Sequence, residues 1–206
     1  NKDWTPFHFE DVAADLSQAK LSFLGSAEPR DHVDDVSFTP EQQALIQAES
    51  DPVQRQSLRD ILLNEQFRTD VFMKGKLQHT PRGSIAAWFA TPIALTRQYS
   101  GGQINLTWRG QDTVVEQDHI GPALKALENG PMTVRALLEQ GVFGETPWTD
   151  ISRMLTLLVG EGYLAACLPQ EGLAERTERC RAFNTAVAKR SEENESLQFF
   201  ASPVTG

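Results

Sequence analysis

Apolar and polar positions switch between two periods along this chain, and the switches mark its elements. From residue 9 to 19, Val12, Ala13 and Leu16 fall on one side and charged residues on the other, which predicts a short helix. Lys20-Leu21-Ser22-Phe23-Leu24-Gly25 then alternates with period two and closes on Gly25-Ser26, as a strand does. Two helix starts follow. Thr39-Pro40-Glu41-Gln42 offers a capping hydroxyl, a proline suited to the first turn and a glutamine that completes a capping box. Asp51-Pro52-Val53-Gln54 repeats the device. The helix after it sets Leu58, Ile61 and Leu62 on one face, which predicts Arg55, Arg59 and Asp60 in solvent.

Period two returns in the middle. Residues 67–73 alternate and stop at Gly75. Residues 85–91 form a short apolar run between Gly83 and Pro92, read as a strand. Ile104-Asn105-Leu106-Thr107-Trp108 alternates and is followed at once by Thr113-Val114-Val115, which predicts a hairpin through 109–112. Residues 67–117 are therefore expected to form one small, mainly antiparallel sheet.

Helical spacing dominates the last third. Ile120, Leu124 and Leu127 make the buried stripe of a helix that stops at Asn129-Gly130-Pro131. Thr133 caps a second helix to residue 140, with Leu137 and Leu138 inward. A third starts at Thr146-Pro147, carries Ile151, Met154, Leu155 and Leu158 inward, and ends at Gly162 before a strand over 163–168. Three short helices and a strand are the order of a winged-helix unit. A helix over 173–191 intervenes, so Leu197-Gln198-Phe199-Phe200-Ala201 is expected to supply the second wing strand. The fold class is thus α+β, a small antiparallel sheet with packed helices plus a C-terminal winged-helix-like unit. Its regions are 1–50, 51–117 and 118–206.

Composition narrows the functions open to such a chain. It has 206 residues, 40% hydrophobic and 23% charged, a soluble and core-forming balance. Its net charge is −9, evenly spread, which argues against nucleic acid as a partner because phosphates need a basic footprint. Within 118–168, Lys125, Arg135 and Arg153 face Asp118, Glu128, Glu139, Glu145, Asp150 and Glu161, so the winged-helix-like pattern reads as protein-facing. No stretch reaches the ~20 apolar residues of a membrane span, and the N-terminus lacks a secretory pattern. A cytoplasmic protein with no membrane partner is expected. Cys167 and Cys180 lack CxxC spacing and read as buried, reduced core thiols. The first residue is Asn1 rather than Met, so a fragment or processed product is expected.

No phosphate-cradling glycine loop, HExxH or GxSxG segment is present, so no catalytic, cofactor-binding or metal-ligating residue is assigned. Residues 28–51 carry Glu28, Asp31, Asp34, Asp35, Glu41, Glu49 and Asp51 against Arg30 alone. Within them Asp31-His32-Val33-Asp34-Asp35 has the side chains of a metal site but reads better as a solvated acidic loop. Arg68 and Asp70 share one strand face, either as an ion pair at a sheet surface or seam, or as a contact to a neighbouring domain. The outer face of the third helix offers Trp148, Asp150, Arg153 and Glu161. The candidate interaction surface is Arg68, Asp70, Trp148 and Arg153.

One stretch also points to a family. Leu58-Arg59-Asp60-Ile61-Leu62-Leu63-Asn64-Glu65-Gln66-Phe67-Arg68-Thr69-Asp70-Val71-Phe72-Met73-Lys74-Gly75 resembles the hallmark of the bacterial methyltransferase regulatory domain. Asp3-Trp4-Thr5-Pro6-Phe7-His8-Phe9 and residues 19–27 look like the junction where a preceding class I SAM-dependent methyltransferase domain ends. Ala201-Ser202-Pro203-Val204-Thr205-Gly206 is similar to the family's closing segment. The resemblance implies that 1–50 holds the end of that upstream domain and the acidic connector, with the regulatory domain after it. It implies no cofactor in this chain, SAM in the upstream domain, that domain as partner in cis, and a protein substrate, as in protein-lysine methyltransferase-like architectures. The chain is then a non-catalytic regulatory or substrate-docking region of a methyltransferase; the alternative is a winged-helix interaction module unrelated to methyl transfer.

Overall fold

The computed structural model describes residues 5–75, 79–115, 117–169 and 171–194. The chain opens with helix α1 (Phe9–Gln18) and strand β1 (Leu21–Ser26), where the pattern puts them. Two short 3₁₀ turns, Pro29–His32 and Asp34–Val36, carry the acidic connector. Helix α2 (Pro40–Ala48) starts on the expected capping box: Thr39 Oγ1 accepts the Gln42 amide at 3.4 Å, and Gln42 Oε1 accepts the Thr39 amide at 2.9 Å. Helix α3 (Pro52–Leu63) starts on Asp51, whose Oδ1 accepts from the amides of Val53 and Gln54 at 2.8 and 3.0 Å.

Strand β2 (Asp70–Lys74) is followed by a departure from the expected order. Residues 85–91 are not a strand; they lie in and at the end of helix α4 (Pro81–Ala90). Thr80 Oγ1 accepts the Gly83 amide at 3.1 Å, so Thr80-Pro81 uses the same start as Thr39-Pro40. An apolar run alone does not separate a buried helix from a buried strand, and here the cap decides. The strand comes next, as β3 (Pro92–Leu95), with proline at its first position. Strands β4 (Ile104–Trp108) and β5 (Gln111–Val115) form the expected hairpin. Its two-residue turn sets Arg109 and Gly110 at φ +50° and +77°, the left-handed pair that tight hairpins favour. Helix α5 (Gln117–Leu127), strand β6 (Met132–Thr133), helices α6 (Val134–Glu139) and α7 (Trp148–Gly160), strand β7 (Leu164–Ala166) and helix α8 (Leu173–Ser191) complete the described order.

The strands of 67–117 do not join one sheet. β2 turns back on β1, β4 and β5 pair only with each other, and β3 sits between β6 and β7. Burial explains the split. Ile93 and Ala94 are both buried, so β3 is covered on both faces and lies among the helices of the last third. Phe72 of β2 instead joins Phe9 and Phe23, with ring centroids 6.4 and 5.6 Å away. The expected wing strand over 197–201 lies outside the described residues, as do Trp4 and the closing segment 201–206.

Two bodies result. The larger core gathers Ile104, Leu106 and Val115 from the hairpin with Ile120, Leu124, Leu127, Val134, Leu137, Ile151, Leu155, Leu158 and Leu164. The smaller body packs α1, β1, β2 and α3 around the three phenylalanines. Residues 27–38 form a strap between them; Val33 and Val36 belong to the larger core. Helix α3 departs from its expected orientation: Ile61 is 75% exposed, whereas the Arg59 and Asp60 side chains are 14% and 24% exposed, and Leu58 and Leu62 stay half-buried. Tertiary ion pairs together with its apolar spacing set the way it faces. Among the described residues no helix is long and apolar enough to cross a membrane.

Candidate functional site

Residues 28–35 of the acidic connector form neither a free loop nor a metal-ligand set, because arginines from several elements occupy their carboxylates. Arg109, at the hairpin turn, gives Nη2 to Asp31 at 3.0 Å and Nη1 to Glu65. Arg59 of α3 gives Nη1 to Asp34 at 2.5 Å, and Arg153 of α7 gives Nε and Nη2 to Asp35 at 2.8 and 2.6 Å. Arg30 bonds Glu28 through Nε at 2.7 Å and Nη2 at 3.0 Å, and Glu161 at the end of α7 through Nη1 at 2.6 Å. Among the described residues no cluster of His, Cys, Asp and Glu gathers to hold a metal ion.

Arg30 also lies 3.7 Å over the Trp108 ring, a close cation–π contact. Gly160 makes the approach possible: a Cβ there would stand 2.5 Å from Arg30 Cγ. The charges respond to this packing. Burial works to raise the Glu28 pKa, but the hydrogen bonds and charge of Arg30 outweigh it and hold the carboxyl below its ordinary range. Burial likewise works against the charged form of Arg109, and the carboxylates of Asp31 and Glu65 overcome it and raise its pKa.

Arg68 organises the smaller body. Its Nε and Nη2 meet both oxygens of Asp70 at 2.9 and 3.0 Å, Nη1 meets Asp60 at 2.7 Å, and Nη2 also reaches Gln56 Oε1 at 3.0 Å. The guanidinium lies 4.3 Å over the Phe9 ring. Asp60 remains above its ordinary pKa: burial raises it more than the charge and hydrogen bond of Arg68 lower it, and Glu65 and Asp70 add to the rise.

Between the bodies these residues enclose a cleft of about 560 Å³, open to solvent. Its walls carry Glu28, Asp31, Asp34, Asp60, Glu65 and Asp70, which share the guanidiniums of Arg30, Arg59, Arg68 and Arg109, so carboxylates outnumber their arginine partners. Phe67, 74% exposed, stands at its edge. On the other side of the strap lies a second groove of about 800 Å³, floored by Trp88, Ile93 and Val159 and walled by Ser152, Arg153 and Thr156 of α7.

The four residues singled out from the sequence therefore divide. Arg68 and Asp70 form one wall of the cleft, as an ion pair of the smaller body. Arg153 lines the groove behind the strap, tied to Asp35. Trp148 packs edge-on against Phe89 and Trp88 of α4, with centroids 4.9 and 6.1 Å away. Arg59, Arg109 and Asp31 escape a reading by local pattern because their ionic partners lie 25 to 78 residues away. The two cysteines are free and only half-buried, outside the larger core, and burial pushes the Cys167 thiol up.

Residues 1–74 match the family model described as a predicted methyltransferase regulatory domain. The matched span ends with the last residue of β2, so it covers the smaller body, α2 and the strap. The whole chain is 32% identical, over 215 aligned positions, to the uncharacterized protein sll1526 of Synechocystis sp., and spans 41% of its length. The solved structure of PKMT2 from Rickettsia typhi aligns with 77% of this chain and 35% of its own, at a TM-score of 0.47 and 16% identity.

Proposed function

We propose that this chain is a regulatory or substrate-docking region of a SAM-dependent methyltransferase and does not itself carry the transfer step. The match of residues 1–74 to the regulatory-domain family is the observation that supports this most. In this reading SAM is held by a methyltransferase domain preceding the region, which is its partner in cis; the relative's greater length leaves room for one. A doubly wound SAM site needs parallel strands with a glycine-rich first turn at their carboxyl ends. Every described strand pair here is antiparallel, in sheets of two or three strands, so the described residues do not fit that cofactor.

The docking surface in this reading is the cleft beside Arg68 and Asp70, continued behind the strap by Arg153. Trp148 acts only by placing α7. The cleft's excess of carboxylates suits a basic segment of a protein substrate. The order α5, β6, α6, α7, β7, with β3 between the two strands, supports a winged-helix-like unit that backs the groove. A bacterial, cytoplasmic enzyme belongs to the same reading.

Calorimetric titration of the 206-residue chain with SAM tests the division of labour. No binding heat up to millimolar SAM is expected. Saturable binding would overturn the proposal.

A further inference from the structure

The strap is held by two kinds of contact, and they belong to different bodies. Val33 and Val36 bury into the larger core, so apolar packing fixes the strap to that body. No residue of α1, β1, α3 or β2 enters the larger core or packs on it as a partly buried hydrophobic. The smaller body reaches the larger one by polar contacts, and on the strap it also covers Phe38, which is buried outside the larger core. Arg59 reaches from α3 to the Asp34 carboxylate at 2.5 Å and to the Asp31 carbonyl at 2.6 Å, and lies 4.8 Å over the Phe38 ring. Arg109 reaches from the hairpin turn in the opposite direction, to Asp31 of the strap and Glu65 of the smaller body.

Asp31 holds Arg109 from the strap side: its Oδ1 takes Arg109, its Oδ2 accepts from Ser26 Oγ at 2.8 Å, and its carbonyl takes Arg59. Arg109 itself spans the cleft, from the hairpin of the larger core to Glu65 of the smaller body. We infer that Arg109 is the bolt of an ionic latch: when its contacts let go, the smaller body pivots on the strap and the cleft between the bodies opens, while each body keeps its own core. The physical grounds are the unequal responses of the two contact types. Partly exposed ion pairs are weakened by salt. Apolar cores are indifferent to moderate salt. A joint made mostly of the first kind between bodies made of the second releases before either body melts. The latch is a property of the chain itself, whatever the cleft binds and whether or not a methyltransferase domain is attached.

Hydrogen exchange on the 206-residue chain tests it. Arg109→Gln removes the charge that spans the cleft. Exchange is expected to speed up about tenfold across residues 26–35 and 65–70, the response to a small loss of local opening energy. The amides of α5, α7 and the β1–β2 pair stay as they were. Glu65→Gln, or raised salt on the unaltered chain, moves the same amides in the same direction. Spin labels at Asp15→Cys in α1 and Glu128→Cys beside α5, with Cys167→Ser and Cys180→Ser, then report a broader distance distribution when Arg109→Gln is added. Uniform faster exchange over both bodies, no change in exchange, or an unchanged distance distribution would each overturn the latch.

Discussion

Arg68→Ala is expected to lower the unfolding free energy by about 2–4 kcal/mol at neutral pH, between the value of a surface pair and that of a fully buried one. The guanidinium meets three side chains and two rings, and its removal leaves Asp60 and Asp70 facing each other without a cation. The deficit should also depend on pH, with a sign that follows from Asp60. Burial holds that carboxyl above its ordinary pKa even with Arg68 beside it. Between the ordinary and the raised value the folded chain binds more protons than the unfolded one. Its stability contribution is therefore present below that window and lost as pH rises through it. Without Arg68 the window extends upward. Urea midpoints should separate wild type and variant more at about pH 7 than at about pH 4, where protonation relieves the pair. An equal separation at both would mean that Arg68 acts by packing alone.

Leu158→Ala should act on the other body. Leu158 is fully buried on α7, in the core shared with Leu124, Leu137 and Leu155. Losing its side chain should lower stability by about 3–4 kcal/mol, the transfer term plus the cavity left in a packed interior. Unlike Arg68→Ala, it removes no charge, so its deficit should be the same at both pH values. A urea titration at each pH reads both variants, and a loss under about 1 kcal/mol would mean the core collapses around the gap.

The contrast between these residues also marks how far the sequence could be read. Leu158 is legible because its neighbours recur at helical spacing within one element, and so are α5, α6, α7 and α8. The β4–β5 hairpin is legible because its turn chemistry is local. Helix α4 is misread because residues 85–91 are an apolar run without a decisive period; its cap, Thr80-Pro81, lies outside the run. β3 is missed for a related reason, being short and begun by proline. Arg59 and Asp60 are misplaced because their partners are tertiary. Periodicity puts a charged residue in solvent unless a counter-charge is known, and Asp34 lies 25 residues before Arg59. The candidate site follows the same rule. Arg68 and Asp70 are visible as a pair two residues apart, whereas the strap and its arginines emerge only once the chain is folded.

The methyltransferase reading places substrate docking in the cleft, and Phe67 offers the cleanest probe of it. The side chain stands exposed at the cleft's edge, and a urea titration of Phe67→Ala separates any effect on stability from one on docking. The measurement is steady-state methyl transfer by the full-length enzyme to its protein substrate. The expected result is a KM raised about 3–10-fold with kcat unchanged, the signature of lost binding that does not touch the reacting atoms. An unchanged KM would contradict docking at this cleft.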